Sequence, residues 1–326
     1  MTIAVIGAGA WGTALANTMA QAEDVLLWAR EPEVVEAVNG SHRNPMFLPD
    51  VPLSPRVRAT DALSELAAID LWLVVPPAQF LGRVLAGAPL AHAPTLVLCA
   101  KGIEAGTHRL MAEVAADVAP DAPLAVLSGP SFAAETARGL PTAVTLAASS
   151  MEAAAALAER IARPTFRPYA SDDVAGCEIG GAVKNVLAIA CGVVIGAGLG
   201  ENARAAVIAR GFAEMTRFGV ARGGRAETLA GLSGLGDLVL TCGSTQSRNM
   251  SLGMALGQGQ TAEQALSGKL SVAEGAATAP VLVEAAASAG VDMPIAAAVA
   301  DLLAGRANVR EVTDRLLSRP LKAELG

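Results

Sequence analysis

The sequence predicts the α/β fold class: a mostly parallel sheet with helices on both faces, followed by an all-α C-terminal domain. Three observations carry that expectation. Up to about Ala170 short apolar runs alternate with helical stretches, beyond about Gly180 the strand rhythm stops, and a glycine cluster separates the first apolar run from the first helical pattern. At 326 residues the chain is longer than one ordinary domain, so two are expected, spanning 1–178 and 179–326.

The strand candidates, in order, are Thr2 to Ile6, Val25 to Trp28, Leu71 to Val75, Leu96 to Ala100, Leu124 to Leu127 and Ala143 to Ala147. Their alternation with helical stretches is the signature of βαβ units. Asn44 to Pro55 holds four prolines and reads as an irregular connection, either a flap over a cleft or an ordinary surface loop. In the second half, Val183 to Ile195, Ala203 to Phe218 and Ala279 to Ser288 follow helical patterns. The nearly apolar stretch from Val186 to Gly200 falls short of the roughly 20 residues needed to span a bilayer and is flanked by Lys184 and Glu201. It is expected to be a buried helix, with no membrane insertion.

Charge and composition narrow the function. With a net charge of −7, no basic block and 3% aromatic residues, the chain lacks the electrostatic stripe and stacking surfaces of nucleic-acid binders. Cys99, Cys177, Cys191 and Cys242 form no CxxC pair, and His42, His92 and His108 lie in unrelated contexts, so neither a disulfide framework nor a metal site is expected. The first residues enter an apolar strand directly, without the pattern of an export signal, which suggests the cytoplasm.

Immediately after the first strand stands GAGAWG, with Gly7, Gly9 and Gly12 in GxGxxG spacing before a helix that starts near Thr13. Gly7 permits a tight turn, Gly9 admits a pyrophosphate to the backbone, and Gly12 lets helix and strand pack closely. That order of strand, glycines and helix points to a Rossmann-type dinucleotide site, whose helix N-terminus supplies N–H groups to an anion. An NAD-selective site places an acidic residue at the end of the second strand. Here the strand ends in Trp28-Ala29-Arg30. Arg30 suits the 2′-phosphate of NADP, so NADPH is expected to be preferred over NADH; the plainer reading is a solvated arginine.

Only four of the 24 basic residues are lysines: Lys101, Lys184, Lys269 and Lys322. Lysine can titrate near neutrality when buried or beside other cations, whereas arginine stays charged. Lys184, in GGAVKNVLAIA, has close glycines expected to admit a ligand and aliphatic neighbours that restrict water. Lys101, in CAKGIEAG, falls at the carboxyl end of the fourth strand, where ligands of parallel sheets bind. Each can equally be an ordinary charge, Lys184 snorkelling from a helix end and Lys101 solvated on a loop. Lys269 and Lys322 read as surface charges.

Taken together, GAGAWGTAL, WAR, AKGIE, SGPSFAAE, GGAVKNVLAIA, GLSGLGDLVLTC, QSRNMSLG and AEGAAT resemble the bacterial-type NAD(P)-dependent glycerol-3-phosphate dehydrogenases, in order from Ile3 to about Thr278. The resemblance implies a Rossmann domain paired with a helical domain, and reversible hydride transfer between NAD(P)H and dihydroxyacetone phosphate. The product, sn-glycerol 3-phosphate, would feed phospholipid synthesis. It further implies Lys184 as the acid/base with Asp237 beside it, and substrate contacts from Lys101, Gly129, Ser131, Ser247, Arg248 and Asn249. For the cofactor it implies Ala10, Trp11, Lys101, Ala133, Arg248, Val272 and Glu274 in addition to the glycine turn and Arg30, and it suggests a homodimer.

Several of these residues also have plainer readings. Asp237 can cap its helix, the Ser247-Arg248-Asn249 string can simply begin one, and Trp11 can fill the core. Phe47, Pro77 and Ser233 depart from the family's usual tyrosine, serine and alanine. Two other functions stay open on sequence alone: a related dehydrogenase of 3-hydroxy acids, which needs no Ser247-Arg248-Asn249 phosphate site, and a silent dinucleotide sensor, which needs neither Lys184 nor Asp237.

Overall fold

The computed structural model describes residues 2–267 and 273–320. Strands β1 (Thr2–Ile6), β2 (Asp24–Trp28), β3 (Arg43–Asn44), β4 (Leu48–Pro52) and β5 (Val57–Thr60) are followed by β6 (Leu71–Val74), β7 (Thr95–Leu98), β8 (Leu124–Ser128), β9 (Thr142–Ala148) and β10 (Phe166–Ser171). Among them run helices α1 (Ala10–Met19), α2 (Pro32–Ser41), α3 (Leu81–Ala86), α4 (Met111–Val118), α5 (Ala133–Ala137) and α6 (Met151–Ile161). After β10 the described chain holds no further strand: α7 (Val174–Gly196), α8 (Glu201–Ala221), α9 (Ala226–Leu229), α10 (Asp237–Gly243), α11 (Arg248–Gly257), α12 (Ala262–Leu266), α13 (Glu274–Ser288), α14 (Pro294–Leu303) and α15 (Val309–Leu317).

Eight strands form one sheet in the order β10-β9-β8-β7-β6-β1-β2-β5, parallel throughout except where β8 meets β9. Alternate side chains of β1 explain the layers. Ile3 and Val5 join a core with Leu15, Ala154 and Ile161 of α1 and α6, while Ala4 and Ile6 join a second core with Leu81, Leu85 and Val114 of α3 and α4. Helices therefore cover both faces, as expected for a parallel sheet. From β1 the chain builds outward through β2 to β5, then returns to place β6 on the other side of β1. That reversal beside β1 is the crevice where ligands of open α/β sheets bind.

Each of the six strand candidates corresponds to a strand, but four further strands were not expected. β5 is only four residues long, and β10 carries Pro168 on the sheet's edge, where a missing N–H is tolerated. The proline-rich segment is no irregular connection: β3 and β4 pair as an antiparallel hairpin. Its base is fixed by buried Asn44, whose amide donates to the Ala8 carbonyl at 2.9 Å and to Thr13 Oγ1 at 2.8 Å, tying the hairpin to the glycine turn.

The apolar stretch belongs to α7, which is 23 residues long and buried from Gly176 to Val194. By length and composition it is able to cross a membrane, yet it is the central helix of the C-terminal core, wrapped by α8, α10, α11 and α13. It begins nine residues before the expected Val183. Gly180 and Gly181 do not break it, because neighbouring chain fills the space their missing side chains leave: a Cβ at Gly180 would lie 2.6 Å from the Ser233 carbonyl oxygen. Asp173 caps the helix, accepting from the Gly176 N–H at 2.8 Å. Glu178 ties it to the sheet half by accepting from the Ala112 N–H of α4 at 2.8 Å, and burial pushes that carboxyl up to about 8.

Candidate active site

The glycine turn has the shape a dinucleotide needs. Gly7 has φ +106°, which an L side chain rarely adopts, and its N–H donates to the Trp28 carbonyl at 3.0 Å, joining the ends of β1 and β2. A Cβ at Gly12 would overlap the Gly7 carbonyl, whereas one at Gly9 would meet nothing within 4 Å. The turn is thus closed toward the protein and open toward a ligand. No side chain caps α1, so the first-turn N–H groups around Ala10 and Trp11 point at the crevice without a side-chain acceptor. These features fit a pyrophosphate. The Trp11 ring packs with Ala133 and Ala134 of α5 against the hairpin's Leu48 and Val51, and its indole N–H is buried with no partner. Arg30, exposed just beyond β2, pairs with Glu31.

At the carboxyl end of β7, Lys101 crosses to the helical half. Its Nζ donates to Asp237 Oδ2 at 2.6 Å and to the Gly129 carbonyl at 3.3 Å. Lys184, on α7, donates to the other oxygen of the same carboxylate, Oδ1, at 2.8 Å and to Thr241 Oγ1 at 3.0 Å. Asp237 is therefore no helix cap. It is held by a π-helical turn, Leu232–Gly236, that swings it to the first position of α10 and under both lysines. The second glycine of α7's pair serves this contact rather than a ligand: a Cβ at Gly181 would stand 2.7 Å from Ser128 Oγ and 3.3 Å from the Lys101 stem. The expectation that those glycines admit a ligand is corrected on this point, since protein atoms fill the space.

The three charges divide their roles. Burial pulls the Lys184 ammonium down, and Lys101 adds to that, while Asp237 resists; the balance puts it at about 8. For Lys101 burial acts in the same direction but Asp237 outweighs it, holding the ammonium above its ordinary value. Burial alone would raise the Asp237 carboxyl, yet the two lysines keep it below the usual carboxylate range. One lysine is thus poised to exchange a proton near neutrality and the other remains a fixed cation.

The remaining predicted residues surround this cluster unevenly. Ser131 donates to the Gly129 carbonyl at 3.0 Å, beside Lys101. Ser247 caps α11, accepting from the Met250 N–H at 3.2 Å, so its hydroxyl already has a structural partner. Buried Asn249 donates to Asn185 Oδ1 at 3.0 Å and accepts from the Gly275 N–H at 3.0 Å, coupling α7 and α13 next to Lys184. Arg248 alone of the three is exposed. Glu274 opens α13, and its carboxyl is raised by burial against the pull of Arg248, Lys101 and Lys184. Val272 lies outside the described residues, as do Lys269 and Lys322. Thr241 was not singled out from sequence, although its place four residues after Asp237, on the same helix face, is the signal that finds it.

A glycine turn open at the sheet's crevice, with a buried lysine pair on one carboxylate at the same end of the sheet, defines an oxidoreductase of the dinucleotide-binding class. Comparison with known proteins is more specific. The model of the NAD-dependent glycerol-3-phosphate dehydrogenase N-terminus matches residues 2–154 and that of the C-terminus residues 173–314. The chain belongs to this family. A glycerol-3-phosphate dehydrogenase (NAD(P)+) of Erythrobacter litoralis is 61% identical over 99% of this chain and 97% of its own. One of Caulobacter vibrioides is 60% identical over 99% and 98%. The crystal structure of glycerol-3-phosphate dehydrogenase from Coxiella burnetii superposes with a TM-score of 0.92 at 38% identity, covering 98% of this chain and 99% of that one.

Proposed function

We propose that this chain interconverts dihydroxyacetone phosphate and sn-glycerol 3-phosphate with NAD(P)H, supplying glycerol 3-phosphate for phospholipid synthesis, and that Lys184 is its acid/base. The observation that carries this reading is the placement of Asp237 between Lys101 and Lys184 at the end of the sheet that bears the glycine turn. The names of the relatives supply the substrate.

A dinucleotide held by its pyrophosphate on the Gly7 to Gly12 turn would supply the hydride. Lys184 donates its Nζ proton to the ketone oxygen, and until that transfer is complete its ammonium offsets the charge growing there. Solvent then restores the proton. In the reverse direction neutral Lys184 accepts the hydroxyl proton, and a group at about 8 presents both forms within reach of neutral pH. Asp237 and Thr241 orient the amine, as their bonds to it indicate. Lys101, with the Gly129 and Ser131 turn, gives the substrate a cationic wall. Ser247, Arg248 and Asn249 at the start of α11 form the phosphate end, with Arg248 the group best exposed to make a charge-assisted contact.

For the cofactor the assignment extends to Ala10, Trp11, Ala133, Val272 and Glu274, with Arg30 on the 2′-phosphate and NADPH preferred. The dinucleotide half is 1–178 and the substrate half 179–326, with the division falling within α7 just after its first turn. A homodimer and a cytoplasmic location complete the proposal. The test is to follow NADPH and NADH oxidation separately with dihydroxyacetone phosphate, using dihydroxyacetone as control. Phosphate-dependent turnover supports the reading; equal turnover of both ketones, or none, overturns it.

A further inference from the structure

We propose that Glu31 is a second specificity residue for the dinucleotide: a carboxylate that holds Arg30 when no 2′-phosphate is present and accepts a hydrogen bond from a free ribose 2′-hydroxyl. One strand end then serves both NADPH and NADH. This inference rests on reading Arg30 as the partner of the 2′-phosphate.

The geometry separates a less exposed member from a more exposed one. Arg30 Nε and Nη2 both donate to a single oxygen, Glu31 Oε1, at 3.0 and 2.7 Å, leaving Oε2 able to accept from a ribose. The Arg30 side chain is 79% exposed and that of Glu31 24%, so the guanidinium has more room to move than the carboxylate. Although Glu31 precedes Pro32 at the start of α2, its side chain makes no capping bond, and the helix does not consume it. The backbone beneath is tied to its neighbours: Gly7 donates to the Trp28 carbonyl at 3.0 Å and Ala29 to the Thr60 carbonyl at 2.9 Å. Residues 30 and 31 therefore emerge beside the glycine turn, where an acidic side chain ordinarily meets the ribose of NAD.

The energetics favour exchange. An exposed pair of this kind is worth little, so a 2′-phosphate offering two charge-assisted bonds displaces Glu31 from the guanidinium. Once displaced, the carboxylate stands next to a dianion and opposes it. Glu31 thereby limits the advantage Arg30 gives NADPH and raises the affinity for NADH.

The test is equilibrium binding of NADPH and NADH, read by nicotinamide fluorescence, for the wild type, Glu31→Gln and Arg30→Ala, with kcat/KM for both cofactors alongside. Glu31→Gln is expected to tighten NADPH about three- to tenfold and weaken NADH about two- to fivefold, the scale of a half-exposed charge or one hydrogen bond. Glu31→Asp keeps the charge but shortens the reach, and should weaken NADH without tightening NADPH. A binding ratio unmoved within about twofold, or both cofactors shifted by one factor, overturns the role of Glu31 while leaving Arg30 in place, provided Arg30→Ala weakens NADPH selectively. If Arg30→Ala leaves NADPH binding untouched, the underlying phosphate reading fails as well.

Discussion

Replacing Asp237 with asparagine keeps the shape of the side chain and removes the charge that two ammonium groups share at 2.6 and 2.8 Å. At an effective dielectric constant of about 20 and charge centres about 4 Å apart, the loss is about 4 kcal/mol for each lysine, or about three pH units. Lys184, already at about 8, should fall by roughly two to three units once solvent relaxation is allowed for. Lys101 should drop with it, since Asp237 is what holds it up. At pH 7 the proton donor would then be largely absent and ketone reduction should slow by roughly ten- to a hundredfold, with the alkaline limb of activity displaced to lower pH. The assay is kcat/KM for reduction between pH 5 and 10, with the far-ultraviolet spectrum as a check that the variant is folded. A folded Asp237→Asn enzyme with the wild-type pH profile would refute the argument, because no other carboxylate is hydrogen-bonded to Lys184 among the described residues.

Other consequences follow from the same geometry. Lys184→Ala should reduce turnover by roughly a thousandfold while leaving NADPH affinity nearly intact, as measured by fluorescence titration, because the lysine acts on the substrate oxygen. Gly192→Ala would drive a Cβ into the Met250 carbonyl where α7 and α11 cross, and should cost on the order of 2–3 kcal/mol in chemical denaturation, with Ser247 to Asn249 displaced as a result. Glu214 accepts from the Ile295 and Ala296 N–H groups at the start of α14, and burial raises its carboxyl from 4.5 to about 7. Because the folded state holds this proton more tightly, its stabilising effect is complete below about pH 4.5 and is lost as pH rises through about 7, a change of about 3 kcal/mol. Glu214→Gln should flatten that part of the stability curve; an unchanged slope in urea melts from pH 5 to 9 would contradict it.

The parts legible in the sequence are those encoded locally. The Gly7, Gly9 and Gly12 spacing, the six apolar strands and the three helical segments each announce themselves within a short window. β10 was hidden because an edge strand need not alternate cleanly and tolerates Pro168. The β3–β4 hairpin was hidden because prolines dominate a segment whose order comes from Asn44 reaching 36 residues back to Ala8. Lys101 and Lys184 drew notice as lysines in an arginine-rich chain, but that they meet on one carboxylate is a property of the fold: Lys101 and Asp237 are 136 residues apart. Likewise, the glycines of α7 read as openings for a ligand because nothing local shows that Ser233, Ser128 and Lys101 fill them.

The central claim is that a buried lysine at about 8 passes the proton in both directions, and kcat/KM measured against pH for ketone reduction and alcohol oxidation tests it most directly. Reduction should fall and oxidation should rise through the same midpoint, near pH 8, and both limbs should vanish in Lys184→Ala. Limbs with separate midpoints, or limbs that survive the loss of Lys184, would contradict the account.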